Sequence, residues 1–355
     1  MNCEFRFAII GCGVISQTHQ EQIAAIDGAS LVAVSDINEE KARRMAEKTG
    51  ADWYVDYREM LKREDIDIVN ILTPSGMHAE MAIEAARAGK HVIVEKPMDI
   101  TLEKAKMMIQ ECRQAGVKLA IISQHRFDPS TARVKADVEA GKFGDMVLGQ
   151  AAVNWYRTQG YYDSGDWRGT WSLDGGGALM NQSIHTIDLL QYLMGPVDSI
   201  QAYTATLAHE RIEVEDVAVA SIRFKNGALG TITGTTSAYP GLSARLEVFG
   251  THGTAVIDND QLTHHYLRAA DEQGAMYGGG EAVNLAAQES AADGSGAADP
   301  AAINGYAHRL QILDMMAAIR EDREPLVNGE EGLKPLEIIL AIYKSAQTRE
   351  TITIG

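Results

Sequence analysis

The 355-residue chain has three cysteines, Cys3, Cys12 and Cys112, and none stands at the spacing of a metal knuckle or a redox pair. It lacks an apolar run long enough to span a bilayer. A strand begins almost at once, at Phe5, with no signal-peptide pattern before it. These absences point to a reducing, cytoplasmic setting and no membrane partner. Basic residues are in deficit: 32 Lys and Arg against 49 Asp and Glu give a formal net charge of −17. An acidic surface without a basic stripe repels phosphate backbones, so nucleic acid is not an expected partner. A local nest of backbone N–H groups can still overcome a diffuse field, so an anionic cofactor is not excluded. His264 and His265 are adjacent on an expected strand and point to opposite faces, so they do not chelate, and no metal is expected.

What is present is organised in two parts, as the length requires. Up to about Gln124, apolar runs at Phe5–Ile10, Leu31–Ser35, Ile66–Leu72, His91–Val94 and Val117–Ile122 alternate with helical segments. Continuous apolar strands in a βαβ order predict a parallel sheet buried on both faces. Beyond it the pattern changes to a helix near Thr131–Ala140, a long helix over Ala178–Met194, and alternating strands with turn signals such as Asn226-Gly227. The fold class is α/β: an NAD-binding Rossmann domain over 1–124 and an α+β substrate-binding and oligomerisation domain over 125–355. The second domain carries a mostly antiparallel sheet. Residues 269–302, rich in Gly, Ala, Ser, Asp and Glu, read as a surface loop. Two closing helices, near 307–320 and 332–347, end the chain, and the last can pack back on the first domain.

The cofactor signal is Gly11-Cys12-Gly13-Val14-Ile15-Ser16 between the first strand and helix. Glycines there let the backbone approach a pyrophosphate, and the helix N-terminus offers free N–H groups. Ser16 replaces the third glycine of the fingerprint and is small enough for helix–strand packing. Gly11, Gly13, Val14 and Ile15 are the candidate phosphate contacts. Asp36 ends the second strand, where a carboxylate accepts from ribose hydroxyls and repels a 2′-phosphate. No Lys or Arg occurs in Ile37-Asn38-Glu39-Glu40, so NAD is expected over NADP. The alternative is that Asp36 only caps the next helix. Thr73 and Pro74 follow a strand end and are expected beside the ribose and nicotinamide; His78 either caps that loop or sits in the helix's first turn. Gln124, after the last strand, is a further cofactor candidate.

Thr73-Pro74-Ser75-Gly76-Met77-His78, Glu95-Lys96-Pro97 and the segment from Gly175-Gly176-Gly177 through Asn181 and His185 to Asp188, taken together, resemble the glucose–fructose oxidoreductase/inositol dehydrogenase (Gfo/Idh/MocA) family, and in particular its sugar dehydrogenases. The resemblance covers nearly the whole chain. It implies an open-faced sheet used for homo-oligomers, dimer or tetramer. It also implies reversible hydride transfer between NAD and a secondary hydroxyl of a sugar, anhydro-sugar, nucleotide sugar or cyclitol. Within it Lys96 holds the reacting hydroxyl, His185 accepts the proton, Glu95 belongs to the cofactor site, and an unusual bond precedes Pro97. Two other readings stay open: a silent cofactor- or sugar-sensing regulator, which is expected to lose the lysine or the histidine, and a keto-sugar reductase running the reverse reaction.

On a regular helix Asn181, His185 and Asp188 fall on one face. Histidine suits proton removal near neutral pH, and a positioned base contributes about 10²- to 10⁴-fold. His185 could instead be a helix histidine bonded to backbone, and Asp188 reads as a structural hydrogen-bonding residue. Asn181 stands where many family members carry Asp. It can bind a substrate hydroxyl but supplies no charge to His185. Three of the four tryptophans fall in 155–171. Aromatic faces among polar groups suit a sugar, so Trp167 and Arg168, with Arg126 after the last Rossmann strand, are the remaining substrate-binding candidates. The same aromatics could merely pack a loop or a subunit contact.

Overall fold

The buried apolar runs form strands and the 3.6-periodic segments between them form helices. The computed structural model describes residues 5–268, 282–288 and 305–355. The stretch read as a surface loop, 269–302, lies outside these apart from 282–288, where Leu285–Gln288 make a 3₁₀ turn. The chain begins β1 (Phe5–Ile10), α1 (Val14–Ala24), β2 (Ala29–Ser35), α2 (Glu39–Thr49), β3 (Asp52–Tyr54), α3 (Tyr57–Leu61), β4 (Ile68–Ile71), α4 (His78–Arg87), β5 (His91–Val94), α5 (Leu102–Ala115) and β6 (Leu119–Ile121). It continues with α6 (Pro129–Glu139), β7 (Met146–Asn154), α7 (Gln159–Tyr162), α8 (Ile184–Met194), β8 (Val197–Ala205), β9 (Val217–Phe224), β10 (Leu229–Thr235), β11 (Ala244–Gly250), β12 (Gly253–Asp258) and β13 (Gln261–Leu267). The chain closes with α9 (Tyr306–Glu321), α10 (Gly329–Thr348) and β14 (Ile352–Thr353). The short elements β3, α3, α7 and β14 carry too little periodicity to be read in advance.

The described residues fall into two compact units that are discontinuous in sequence. The first draws on 5–124, 165–176 and 305–336, and the second on 125–164, 177–268, 282–288 and 337–355. In the first unit six parallel strands run in the order β3-β2-β1-β4-β5-β6. The order reverses between β1 and β4, and in such sheets a ligand sits at the carboxyl ends beside that reversal. Gly11 and Thr73 lie just past those two strand ends. Phe7, Ile9, Ile68 and Ile93 are at most 1% exposed, and full burial of such side chains stabilises by about 1.5–3 kcal/mol each. Ile312, Met315 and Met316 of α9 join the same core. Gln311 on that helix closes the end of β6: its Nε2 donates to Ile121 O at 2.6 Å and its Oε1 accepts from Ser123 N at 3.0 Å.

The second unit is built on an eight-stranded sheet ordered β13-β12-β11-β7-β10-β9-β8-β14. Every pair is antiparallel except β7 with β10. Alternate residues of β9 are buried and exposed, so one face of the sheet is covered and the other is open. Helix α8 packs on β7 and β11.

The long helix expected over Ala178–Met194 is not regular throughout. Ala178–Ser183 form a π-helical turn, and α8 starts only at Ile184. Ser183 Oγ takes the Ala178 carbonyl at 2.9 Å, which competes with the ordinary backbone ladder. Before the turn, Gly177 N and Leu179 N both donate to the Glu215 carboxylate at 2.9 Å, and Ala178 N donates to Glu215 O at 3.1 Å. A Cβ on Gly177 would lie 1.8 Å from that carbonyl oxygen, so only glycine allows the approach. Asn181 therefore sits in the π turn, and the i, i+4, i+7 spacing does not lie on one regular helix.

Candidate active site

In the first unit the glycine-rich turn is shaped by its neighbours. Gly11 has φ +99°, a left-handed value, and a Cβ there would stand 2.8 Å from Leu72 O. Gly13 has open space above it, caps α1 without any side-chain cap, and is followed by Val14, 71% exposed. The first N–H groups of α1 are thus presented outward, as anion binding requires. Asp36 Oδ2 accepts from Cys12 N at 2.8 Å and Oδ1 from Asn38 N at 2.8 Å. Asp36 ties the turn to the end of β2, and Asn38, not Asp36, caps α2 by accepting from Lys41 N. Burial, with Asp36 nearby, pushes the Cys12 thiol up to about 12, so it stays protonated and unreactive.

His78 is buried, and its ring spans Thr73 O and Pro97 O, both at 2.8 Å. Burial lowers its pKa against the pull of those two carbonyls. His78 is the first residue of α4, and from there its ring ties the Thr73–Pro74 turn to the residues after β5. The Lys96–Pro97 bond is cis. Glu95 is buried and receives His19 Nε2 at 3.0 Å, while Asn70 Nδ2 donates to His19 Nδ1 at 2.9 Å. His308 Nε2 lies 3.8 Å from the same Glu95 oxygen. Burial works to raise the Glu95 pKa, but the bonds from His19 and His308 outweigh it and hold the carboxyl well below its ordinary value. The ionised Glu95 also accepts Lys96 N at 3.0 Å.

Lys96 is only partly accessible. Desolvation lowers its pKa, Arg168 adds to this, and Glu95 and Asp174 oppose it. Asp174 is buried and accepts from Gly169 N at 2.9 Å. Arg168 stacks on Trp167, its Cζ 4.4 Å from the ring centroid. Trp167 and Arg168 thus belong to the first unit with Lys96. Gln124 is buried at the 3₁₀ turn after β6.

In the second unit Asn181 and His185 are partly accessible. The His185 ring meets His125 edge-on, with centroids 5.0 Å apart and planes at 81°. His125 Nδ1 is 2.7 Å from Asp128 Oδ2 and 3.2 Å from Asp260 Oδ1. Arg126 is buried. Its Nε donates to Asp188 Oδ2 at 2.8 Å and its Nη2 to Oδ1 at 2.6 Å, and the guanidinium lies 4.4 Å from the Tyr192 ring centre. Arg126, read as a substrate contact, is thus engaged with Asp188. The sequence reading missed His19, Asn70, Asp174, His308 and Glu215, and it took His125 only as a residue after the last Rossmann strand that could face the cleft with Gln124 and Arg126. His19 meets partners 51 and 76 residues away, and no spacing rule joins groups so distant.

Residues 5–123 match an oxidoreductase family with an NAD-binding Rossmann fold, and residues 131–256 match the GFO/IDH/MocA C-terminal domain. The chain is similar to the WlbA dehydrogenase from Bordetella pertussis, whose structure holds NADH and UDP-GlcNAcA, at 36% identity, 99% of each chain and a TM-score of 0.85. It is 30% identical to the myo-inositol 2-dehydrogenase of Thermotoga maritima over 98% of each protein. It is 28% identical to the levoglucosan dehydrogenase of Pseudarthrobacter phenanthrenivorans over 75% of this chain and 76% of that one.

Proposed function

Because this chain belongs to the GFO/IDH/MocA oxidoreductase family, we propose that it is an NAD(H)-dependent dehydrogenase. Its substrate is a carbohydrate with a ring secondary hydroxyl: a sugar, nucleotide sugar, anhydro-sugar or cyclitol. The observation that carries this reading is Lys96, a desolvated ammonium set beside the ionised Glu95 and buried Asp174. An ammonium there can hold a hydroxyl oxygen and stabilise the alkoxide that develops on it. His185 accepts the hydroxyl proton, and Asn181 binds a neighbouring hydroxyl. Trp167 and Arg168 are assigned to the sugar face. Arg126 supports the site by holding Asp188 on α8.

The residues suit a dinucleotide. Gly11, Gly13, Val14 and Ile15 would hold its pyrophosphate, Asp36 its ribose, and Thr73, Pro74 and the Glu95–Lys96 backbone its nicotinamide half. When bound, the nicotinamide supplies the hydride acceptor or donor. NAD is favoured over NADP because Asp36 still has lone pairs to accept ribose hydroxyls. The nearby Arg43 and Arg44 are engaged with Glu39 and Glu40, which leaves a 2′-phosphate poorly served. Tyr203, Val219 and Leu229 are exposed on the open face of the sheet, which suits a homo-oligomer.

The test is a panel of monosaccharides, anhydro-sugars, inositols and nucleotide sugars with NAD and NADP, read by nicotinamide absorbance. NAD-linked turnover is expected, with Lys96→Ala losing turnover far more than NAD affinity. Turnover that prefers NADP would sink the Asp36 argument. Silence across the panel with measurable NAD binding would favour a cofactor-sensing regulator.

A further inference from the structure

With Asn at 181, no carboxylate four residues before His185 can act on it. The structure supplies charge from elsewhere in the second unit. His125, from the 3₁₀ turn before α6, stands edge-on to His185 and is gripped by two carboxylates, Asp128 from the N-terminus of α6 and Asp260 from the turn between β12 and β13. That turn is built to deliver Asp260. Asn259 and Asp260 are consecutive non-glycine residues in the left-handed region, with φ +45° and +65°. The turn is fixed by Ser130 Oγ donating to Asp260 O at 2.7 Å and by Ala244 N donating to Asn259 Oδ1 at 3.1 Å.

We infer that His125 is a positioning residue for His185, and that Asp128 and Asp260 keep His125 cationic so that it fixes both the orientation and the proton affinity of the His185 ring. The catalytic meaning of this rests on the reading of His185 as the proton acceptor. The physical argument is a balance of charges. Edge-on to His185, a His125 cation opposes its protonation, and the two carboxylates that hold His125 favour it. Charged groups on the packed elements form pairs of their own: Arg126 with Asp188 on α8, Lys135 with Glu139 on α6, Asp137 of α6 with Arg133, Lys142 and His265, and Arg245 with Glu247 and Asp258 on β11 and β12. Burial raises the Asp260 pKa, and His125 opposes that rise.

The balance gives two changes of opposite sign. His125→Phe keeps an aromatic edge but removes the cation and leaves two bare carboxylates, so His185 holds its proton to higher pH. Adding Asp128→Asn and Asp260→Asn to that variant removes the carboxylates too, so the shift reverses. A merely structural role for His125 predicts neither the sign nor the reversal.

The experiment is an NMR titration of the histidine ring protons of the whole protein, with the His185 resonance assigned by its loss in His185→Asn. The expected result is a rise of about 1 pH unit in His125→Phe and a return toward the wild-type value in the triple variant. An unchanged His185 titration in both would overturn the inference. If His125→Phe fails to fold, His125→Gln makes the same change of charge. Turnover separates the two claims. Loss of turnover in His185→Asn, with the acid limb of kcat/KM moving as the titration does, supports both. Retained turnover in His185→Asn sinks His185 as proton acceptor and removes any catalytic role for His125.

Discussion

The Arg126–Asp188 pair offers the sharpest test of how the second unit is held, because two roles for Arg126 give different numbers. The side chains are 1% and 2% exposed. The guanidinium makes two parallel bonds to the carboxylate and lies over Tyr192, and Gln191 Nε2 adds a contact to Asp188 Oδ1 at 3.4 Å. Removing one partner strands a buried charge and costs about 3–5 kcal/mol. Arg126→Met also loses the stacking on Tyr192, about 1 kcal/mol more. Replacing both charges, as in Arg126→Met with Asp188→Leu, removes the stranded charge and is expected to be far less damaging than the sum of the single changes. The coupling between the two sites should therefore be about 3 kcal/mol, read by urea unfolding of wild type, both single variants and the double variant. A folded domain is stable by about 5–15 kcal/mol, so each single variant should shift its midpoint plainly. If Arg126→Met unfolds within about 1 kcal/mol of wild type while raising KM for the sugar, the ion-pair argument is wrong. Arg126 is then a substrate contact, as the bare sequence suggested.

Two further outcomes test the entry to α8. Burial raises the Glu215 pKa to about 7 from 4.5, against the N–H groups of Leu179 and Gly177 and the Tyr343 hydroxyl. A raised folded-state value means that its contribution to stability is complete below about pH 4.5 and is lost as pH rises through about 7. That difference is roughly 3 kcal/mol, to be read as a fall in Tm between pH 5 and 8 that flattens in Glu215→Gln; an equal fall in the variant would assign it to another group. Gly177→Ala drives a Cβ onto the Glu215 carbonyl, where neither backbone can easily yield. A loss of at least about 2–3 kcal/mol in unfolding free energy is expected, and a variant as stable as wild type would mean that the π turn tolerates displacement.

The parallel sheet of the first unit was legible from the residues alone, because strands buried on both faces read as unbroken apolar runs that need no distant information. The sequence also put the glycine-rich turn, Asp36 and Lys96 at strand ends, where local chemistry marks them, whereas His185 was singled out only by the family resemblance. The alternation of β9 and the neighbouring strands likewise announced a sheet covered on one face. What lay beyond it were features made by residues far apart in the chain. The expected regular helix over Ala178–Met194 gave way to a π turn where Glu215, in the segment just before β9, takes the leading N–H groups, and helical periodicity carries no trace of such a partner. Arg126, expected to bind substrate, proved also to be engaged by Asp188, 62 residues away in the sequence. Glu95, given to the cofactor site by resemblance, meets His19 and His308 from distant parts of the chain, and they hold its carboxyl well below its ordinary value. The return of 165–176 and 305–336 to the first unit likewise follows from burial, as with Met315 and Met316 filling its core. Local geometry is encoded every few residues, but the charge state of a buried group is set by whichever chain segments fold against it, and only the tertiary structure decides those.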